Sequence, residues 1–289
     1  MPSDFCPTEF PTFRDAINAL ASVVFAAPCR VCSEALITAS RIPICGTCLA
    51  SVIPIKEPFC ERCGRPFISE VIAQSIQPMC RLCRADYYSF SRARSFAVYG
   101  DALAAAITLL KYEEVTRLGD WFAAQLADVF ARNAKDLHAD VVVPVPLHAD
   151  RLRERGYNQA ELIARPLARR LGLKLGTYLL VRKLPRPPQL RLSRTERWKS
   201  VRGAYATREG VRVDKLRILL IDDVMTTGAT LDACARALKK AGAAEVFGLT
   251  VGRVVSDWTS GGQLHPSAQR RDRALSVGNQ RGSAGIFSS

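Results

Sequence analysis

Eight cysteines in four Cys-x-x-Cys pairs crowd into residues 29–83: Cys29/Cys32, Cys45/Cys48, Cys60/Cys63 and Cys80/Cys83. The gaps between successive pairs are 12, 11 and 16 residues. A Cys-x-x-Cys turn aims two thiolates at one point, and two such turns complete a tetrahedron around a metal ion. One pair alone could be a redox dithiol. Four in succession, without an export signal ahead of them, read as two Cys₄ zinc sites. The simplest pairing is sequential, with Cys29, Cys32, Cys45 and Cys48 around one ion and Cys60, Cys63, Cys80 and Cys83 around the other. A cross-braced pairing stays open. Disulfides are the alternative, and a reducing compartment disfavours them. Closed Cys₄ sites are structural, so they carry no expected catalytic role. Gly46 and Gly64 each follow a cysteine, where a tight turn would use positive φ. Cys6 and Cys234 are left over, and Cys234, in a helical stretch, reads as a packed small apolar side chain.

The N-terminal region bears on the compartment. The longest uncharged run there is Ala16–Cys29, 14 residues, against about 20 for a membrane span. It follows Asp4, Glu9, Arg14 and Asp15, which do not make the basic start of a signal peptide. The expectation is a cytoplasmic protein with no membrane span. Thr12–Ala27 reads as the helix of an N-terminal segment, residues 1–27. Residues 28–84 form the zinc module. Residues 256–289 are Gly, Ser, Gln and Arg without apolar periodicity and read as a disordered tail.

Between them, residues 92–255 alternate apolar strands with amphipathic helices, the pattern of a parallel α/β sheet flanked by helices. Strands are expected at Ala93–Tyr99, Asp140–Pro146, 176–182, Leu216–Ile221 and Val246–Val255. Helices are expected at Asp101–Tyr112, Leu118–Lys135, Asn158–Leu171 and Gly228–Ala241. Residues 183–203, rich in Pro, Arg and Gln, read as a mobile loop.

Charge is uneven. The chain of 289 residues has 41 Lys+Arg against 27 Asp+Glu, a net of +14. Residues 144–217 alone hold 19 basic and 6 acidic residues, a net of +13. A basic block this concentrated points to a polyanion: phosphate, pyrophosphate or nucleic acid. A solvated basic face is the alternative. Tyr157, Trp198 and Tyr205 lie within the block and could stack on bases of a single strand.

The chemistry concentrates in Ile218-Leu-Leu-Ile-Asp-Asp-Val-Met-Thr-Thr-Gly-Ala-Thr230. Four apolar residues make a buried strand, two acids follow, and a small hydroxyl-rich turn leads into a helix. Ligands of open α/β sheets bind outside the carboxyl ends of strands. A helix N-terminus offers N–H groups and a favourable dipole to phosphate. Asp222 and Asp223 cannot bind phosphate, so they face ribose hydroxyls or Mg²⁺; one of them could instead cap the helix. A phosphate cup beside an acid pair describes a ribose 5-phosphate site. No Gly-x-x-x-x-Gly-Lys-Ser/Thr loop is present, which excludes a P-loop ATPase.

This stretch resembles the phosphoribosyl pyrophosphate motif of type I phosphoribosyltransferases at all thirteen positions. The resemblance implies that Asp222 and Asp223 hold the ribose hydroxyls and that Thr226, Thr227, Gly228, Ala229 and Thr230 hold the 5′-phosphate. Two more segments extend it: Val143-Pro-Val-Pro-Leu-His148 with Arg151, Arg153, Arg155, Gly156, Tyr157, Asn158 and Gln159, and Gln189, Leu192, Glu196, Arg197 and Gly203-Ala-Tyr205. Leu110-Lys-Tyr112 also fits. With the cysteine pairs in front, the layout from about residue 24 to 254 is similar to the ComF family, a double zinc ribbon joined to a phosphoribosyltransferase domain and associated with natural competence.

The resemblance implies phosphoribosyl pyrophosphate with Mg²⁺ as ligand, two structural Zn²⁺, single-stranded DNA as substrate, and the competence helicase machinery as a partner. Arg151, Arg153 and Arg155 are candidates for the pyrophosphate, with solvated arginines the alternative. Arg194, Arg197 and Trp198 are candidates for the mobile loop and for DNA. Lys111 is a weaker candidate. A metabolic transferase for nucleotide salvage, or a nucleic-acid-binding scaffold with a vestigial phosphoribosyl site, are the competing readings.

Overall fold

A computed structural model of the chain describes residues 28–36, 42–67, 78–185 and 194–255. The expected N-terminal helix and C-terminal tail lie outside the described residues, as do positions 186–193 of the expected loop. In chain order the elements are α1 (Gly46–Ala50), α2 (Arg81–Arg84), β1 (Arg92–Val98), α3 (Asp101–Tyr112), α4 (Arg117–Arg132), β2 (Val141–Pro144), α5 (Ala149–Arg155), α6 (Gln159–Leu171), β3 (Lys174–Leu175), β4 (Leu180–Arg182), α7 (Arg194–Val201), β5 (Tyr205–Thr207), β6 (Arg217–Met225), α8 (Ala229–Lys240) and β7 (Glu245–Arg253).

Five strands make one parallel sheet in the order β1-β7-β6-β2-β3. Its central strands read as continuous apolar runs because both faces are covered. Leu219, Ile221, Leu249, Val251 and Val142 belong to the core on one face. Their neighbours Ile218, Leu220, Val246, Val141 and Val143 belong to the core on the other. The period of two along the strands produces this division.

The helices follow their own period. In α6, Ala160, Ile163, Ala164, Leu167 and Ala168 are all buried, the stripe of an amphipathic helix. The Asn158 side chain accepts the Ala160 N–H at 3.0 Å to start it, and Gly172 ends it at φ +65°. In α4 the buried set is Leu118, Gly119, Phe122, Ala123, Leu126 and Val129. Gly119 lets α4 and α6 approach closely, since a Cβ there would lie 2.5 Å from the Leu162 carbonyl oxygen.

Several expectations shift. β6 runs through Asp222 and Asp223 to Met225 instead of stopping at Ile221, because its ladder with β7 continues through Asp222↔Thr250, Val224↔Gly252 and Met225↔Arg253. The strand expected at 176–182 shortens to Leu180–Arg182, and a further short strand lies just before it. Lys174–Leu175 pairs with β2, while Leu180–Arg182 pairs antiparallel with Tyr205–Thr207 in a separate two-stranded ribbon. Part of the expected loop is helical, as α7.

The cysteine region flanks the sheet at the β1 edge. Cys29 and Cys48 pack into the core on one face, and Cys60, Cys63 and Cys83 into the core on the other. Among the described residues no helix is long and apolar enough to cross a membrane.

Candidate functional site

The cysteines assemble sequentially. Cys29, Cys32, Cys45 and Cys48 form one cluster and Cys60, Cys63, Cys80 and Cys83 the other, with the four sulfurs of each within 4.8 Å of one another. The cross-braced alternative is thereby excluded. The two halves share one plan. In each, the first turn ends on a left-handed residue, Ser33 at φ +65° and Gly64 at φ +65°. The second turn opens a short helix whose cap residue is itself a cluster cysteine, Cys45 or Cys80. Gly46 therefore begins α1 and is not at positive φ, contrary to expectation. At Gly64 the expectation holds, and a Cβ there would sit 2.6 Å from the Ala93 carbonyl oxygen.

Backbone N–H groups point at sulfur: Cys45 N to Cys29 Sγ and Cys80 N to Cys60 Sγ, both at 3.3 Å. These bonds favour thiolates, and a tetrahedral thiolate set suits Zn²⁺. Arg253, buried at the end of β7, donates to the Cys63 carbonyl at 2.7 Å and reaches Cys63 Sγ at 3.5 Å. It also contacts Met225 Sδ at 2.7 Å. The second cluster is thus tied to the end of β6, where the phosphate-type turn begins.

That turn and the acids before it border a cleft of about 450 Å³. Asp222 and Asp223 are 8% and 6% exposed. Burial, followed by the neighbouring Asp223 charge, pushes Asp222 up to about 8. Burial acts the same way on Asp223, but the Lys111 ammonium outweighs it and holds that carboxyl below its ordinary value. Lys111 ion-pairs with Asp223 Oδ2. Its amine is buried, which disfavours the charge, yet Asp223 raises its pKa. Near pH 7 the pair carries about one negative charge, and Lys111 balances it.

A chain of contacts extends this group. Gln159 Nε2 donates to Asp223 Oδ2 at 3.3 Å, and Arg155 Nη1 donates to Gln159 Oε1 at 2.5 Å. Arg155 also lies over the Tyr112 ring, 4.9 Å from its centroid.

The turn Thr226–Thr230 is held from behind. Gly228 sits at φ +80°, and a Cβ there would meet Met225 Cε and Tyr88 Cε1, both at 2.8 Å. The Tyr88 hydroxyl donates to the Thr227 carbonyl at 2.9 Å. The Thr227 hydroxyl oxygen accepts the Ala229 N–H at 3.4 Å. The first N–H groups of α8 follow directly, at the end an anion prefers.

The arginine run separates by helical geometry. Arg151 and Arg155 are four apart on α5 and both line the cleft. Arg153 lies on another face, 78% exposed and paired with Asp150. Of the three arginines expected at a pyrophosphate, the fold brings Arg151 and Arg155 to the cleft and not Arg153. Arg182 lines the cleft as well, donating to the Tyr205 hydroxyl at 3.2 Å. Its position depends on the β4–β5 ribbon, which no local pattern announced. Lys111 was undervalued by sequence because only the α3 packing brings it to Asp223.

Of the aromatic candidates, Tyr157 is committed to a tether, its hydroxyl donating to the Leu110 carbonyl at 2.6 Å. Tyr205 is buried. Trp198 is half-buried and sits outside this cleft, against Tyr87. The helix α7 holds Arg194 and Arg197.

The comparisons with known proteins agree with this division. Residues 20–84 match the double zinc ribbon domain and residues 158–253 the phosphoribosyl transferase domain. Competence protein ComFC of Bacillus subtilis is 31% identical over 215 residues, 72% of this chain and 83% of that protein. The chain belongs to the ComF family. Among other ComF-type relatives, competence protein F of Haemophilus influenzae is 29% identical over 211 residues, covering 70% of this chain and 87% of that protein. DNA utilization protein YhgH of Salmonella typhimurium is 30% identical over 206 residues, with the same two coverages.

Proposed function

We propose that this ComF-family protein binds phosphoribosyl pyrophosphate with Mg²⁺ in the cleft at the carboxyl end of β6, and that it acts on single-stranded DNA during DNA uptake. The observation that carries the ligand is the acid pair Asp222–Asp223 placed one turn ahead of the Thr226–Thr230 loop at the start of α8. The loop and helix start cradle the 5′-phosphate. The acids accept hydrogen bonds from the ribose hydroxyls, and Lys111 and Gln159 hold Asp223 ready to do so. Arg151, Arg155 and Arg182 face the pyrophosphate, where forked donors suit its oxygens.

Carboxylate oxygens fit a hard cation, and Asp222 and Asp223 are the residues that would hold Mg²⁺. When bound, the ion supplies charge neutralisation at the pyrophosphate. In a transfer reaction the bond from the anomeric carbon to pyrophosphate oxygen breaks as an acceptor attacks. The protein's part is then positioning and charge stabilisation. The two thiolate clusters hold structural zinc.

Support for DNA comes from the relatives, which are competence and DNA utilization proteins, and from the +13 net charge of residues 144–217. The test is calorimetric titration with phosphoribosyl pyrophosphate, with and without Mg²⁺ and with and without a short single-stranded DNA. The variant Asp222→Asn with Asp223→Asn is expected to keep its fold and lose the ligand. Wild-type affinity in that variant would sink the site assignment. DNA affinity is expected to fall steeply with salt.

A further inference from the structure

A second hollow, about 640 Å³, lies between α7 and α8 on the far side of the phosphate turn. Its wall is aromatic. Tyr87 and Trp198 meet edge to face with ring centroids 4.7 Å apart, and Tyr87 is 43% exposed. Behind them Tyr88 and Phe90 stack at 4.6 Å and stiffen the wall.

The rim is basic, formed by Lys199, Arg202, Arg236 and Lys240. One acid, Asp232, reaches the hollow; its carboxylate accepts the Ser89 N–H at 2.6 Å and pairs with Arg236 Nε at 2.7 Å, so the four cations and one acid of the lining leave it a net charge of +3 (4 − 1). The Trp198 indole N–H is buried without a hydrogen-bond partner among the described residues. A rigid aromatic face with cations around it is the environment a flat, neutral base on an anionic backbone requires. A duplex hides the faces of its bases and cannot use such a wall.

We propose that the hollow between α7 and α8 is a base-stacking slot for single-stranded DNA. This rests on the DNA reading above and adds where the strand is gripped. The slot is distinct from the phosphoribosyl cleft but shares Val201, Tyr205 and Ala229 with its wall. It also accounts for Trp198 lying outside that cleft.

The experiment is fluorescence anisotropy of a labelled oligodeoxythymidylate against wild type, Tyr87→Ala and Lys240→Glu, with a duplex of equal length as control. Tyr87→Ala is expected to weaken single-strand binding roughly 5- to 150-fold, the range for losing one stacked base. Lys240→Glu, on the exposed end of α8, is expected to weaken it and to flatten the salt dependence. Duplex binding is expected to be insensitive to Tyr87→Ala. Phosphoribosyl pyrophosphate titration is expected to be unchanged in both variants, which also shows that they are folded.

Wild-type oligonucleotide affinity in both variants would overturn the slot while leaving the DNA reading in place. No oligonucleotide binding by the wild type would remove the DNA reading and the slot together.

Discussion

Replacing Lys111 with Met would remove the cation from a buried acid pair while keeping the length of the side chain. Lys111 is 22% exposed and Asp223 8%, so the charge left behind has little access to water. Breaking a buried pair by removing one partner costs about 3–5 kcal/mol, and the partial exposure of Lys111 places this case near the lower end. The cost should depend on pH.

In the wild type Asp223 is held below its ordinary 3.8, so its contribution to stability is present above about pH 4. In the variant, burial and Asp222 act on Asp223 unopposed and raise its folded pKa above the unfolded value. Its folded state then binds an extra proton above about pH 4, and stability falls from there until pH reaches the new pKa. The difference between wild type and variant is therefore small near pH 4, opens as pH rises above it, and reaches about 3 kcal/mol by neutral pH, where it stays to pH 8.5. Urea unfolding followed by circular dichroism, with Zn²⁺ present and equal slopes for both proteins, measures it. A difference under about 1 kcal/mol at pH 8.5, or one that does not vary with pH, would refute the assignment of Lys111 as the counter-charge.

Two further predictions concern the turn and the metal clusters. Gly228→Ala places a side chain at φ +80° and 2.8 Å from Met225 and Tyr88. The backbone alone costs about 1–2 kcal/mol, so ligand titration and Tm should both fall, and unchanged values in both would contradict the role of the turn. Cys29→Ser and Cys60→Ser should each lose one zinc by metal analysis, because the clusters are separate, with a large loss of stability since structural zinc supplies roughly 10–16 kcal/mol of apparent binding energy. Cys60→Ser should also weaken phosphoribosyl pyrophosphate binding, because Arg253 joins that cluster to Met225 ahead of the turn; loss of both ions from either variant would contradict separate sites.

Much of the site was legible because its signals are local. Asp222, Asp223 and Thr226–Thr230 are contiguous, and a strand–turn–helix segment carries its own geometry wherever it is placed. The alternation of residues such as Leu219 and Leu220 between two faces follows from strand period alone. What failed to show in the sequence depends on separate elements meeting. Lys111 sits 112 residues before Asp223, and on a helix such as α3 a lysine at its end reads equally as a solvated one. Arg182 is brought to the cleft by pairing of β4 with β5, and Arg153 is excluded because alternate residues on a helix diverge by about 200°. Gly46 misled because the glycine after a cysteine suggests a turn, whereas there Cys45 caps a helix.

The amino-acid order by itself determined the eight cysteines as a chemical inventory for two metal sites, the parallel α/β class and the strand–turn–helix segment around Asp222–Thr230, since each depends on residue types at short fixed spacing. Tertiary structure decided which cysteine pairs share a cluster, which arginines face the cleft, and that the acid pair is buried against the Lys111 ammonium. Those outcomes turn on distance and burial in three dimensions. Electrostatics responds to both steeply, and sequence separation specifies neither.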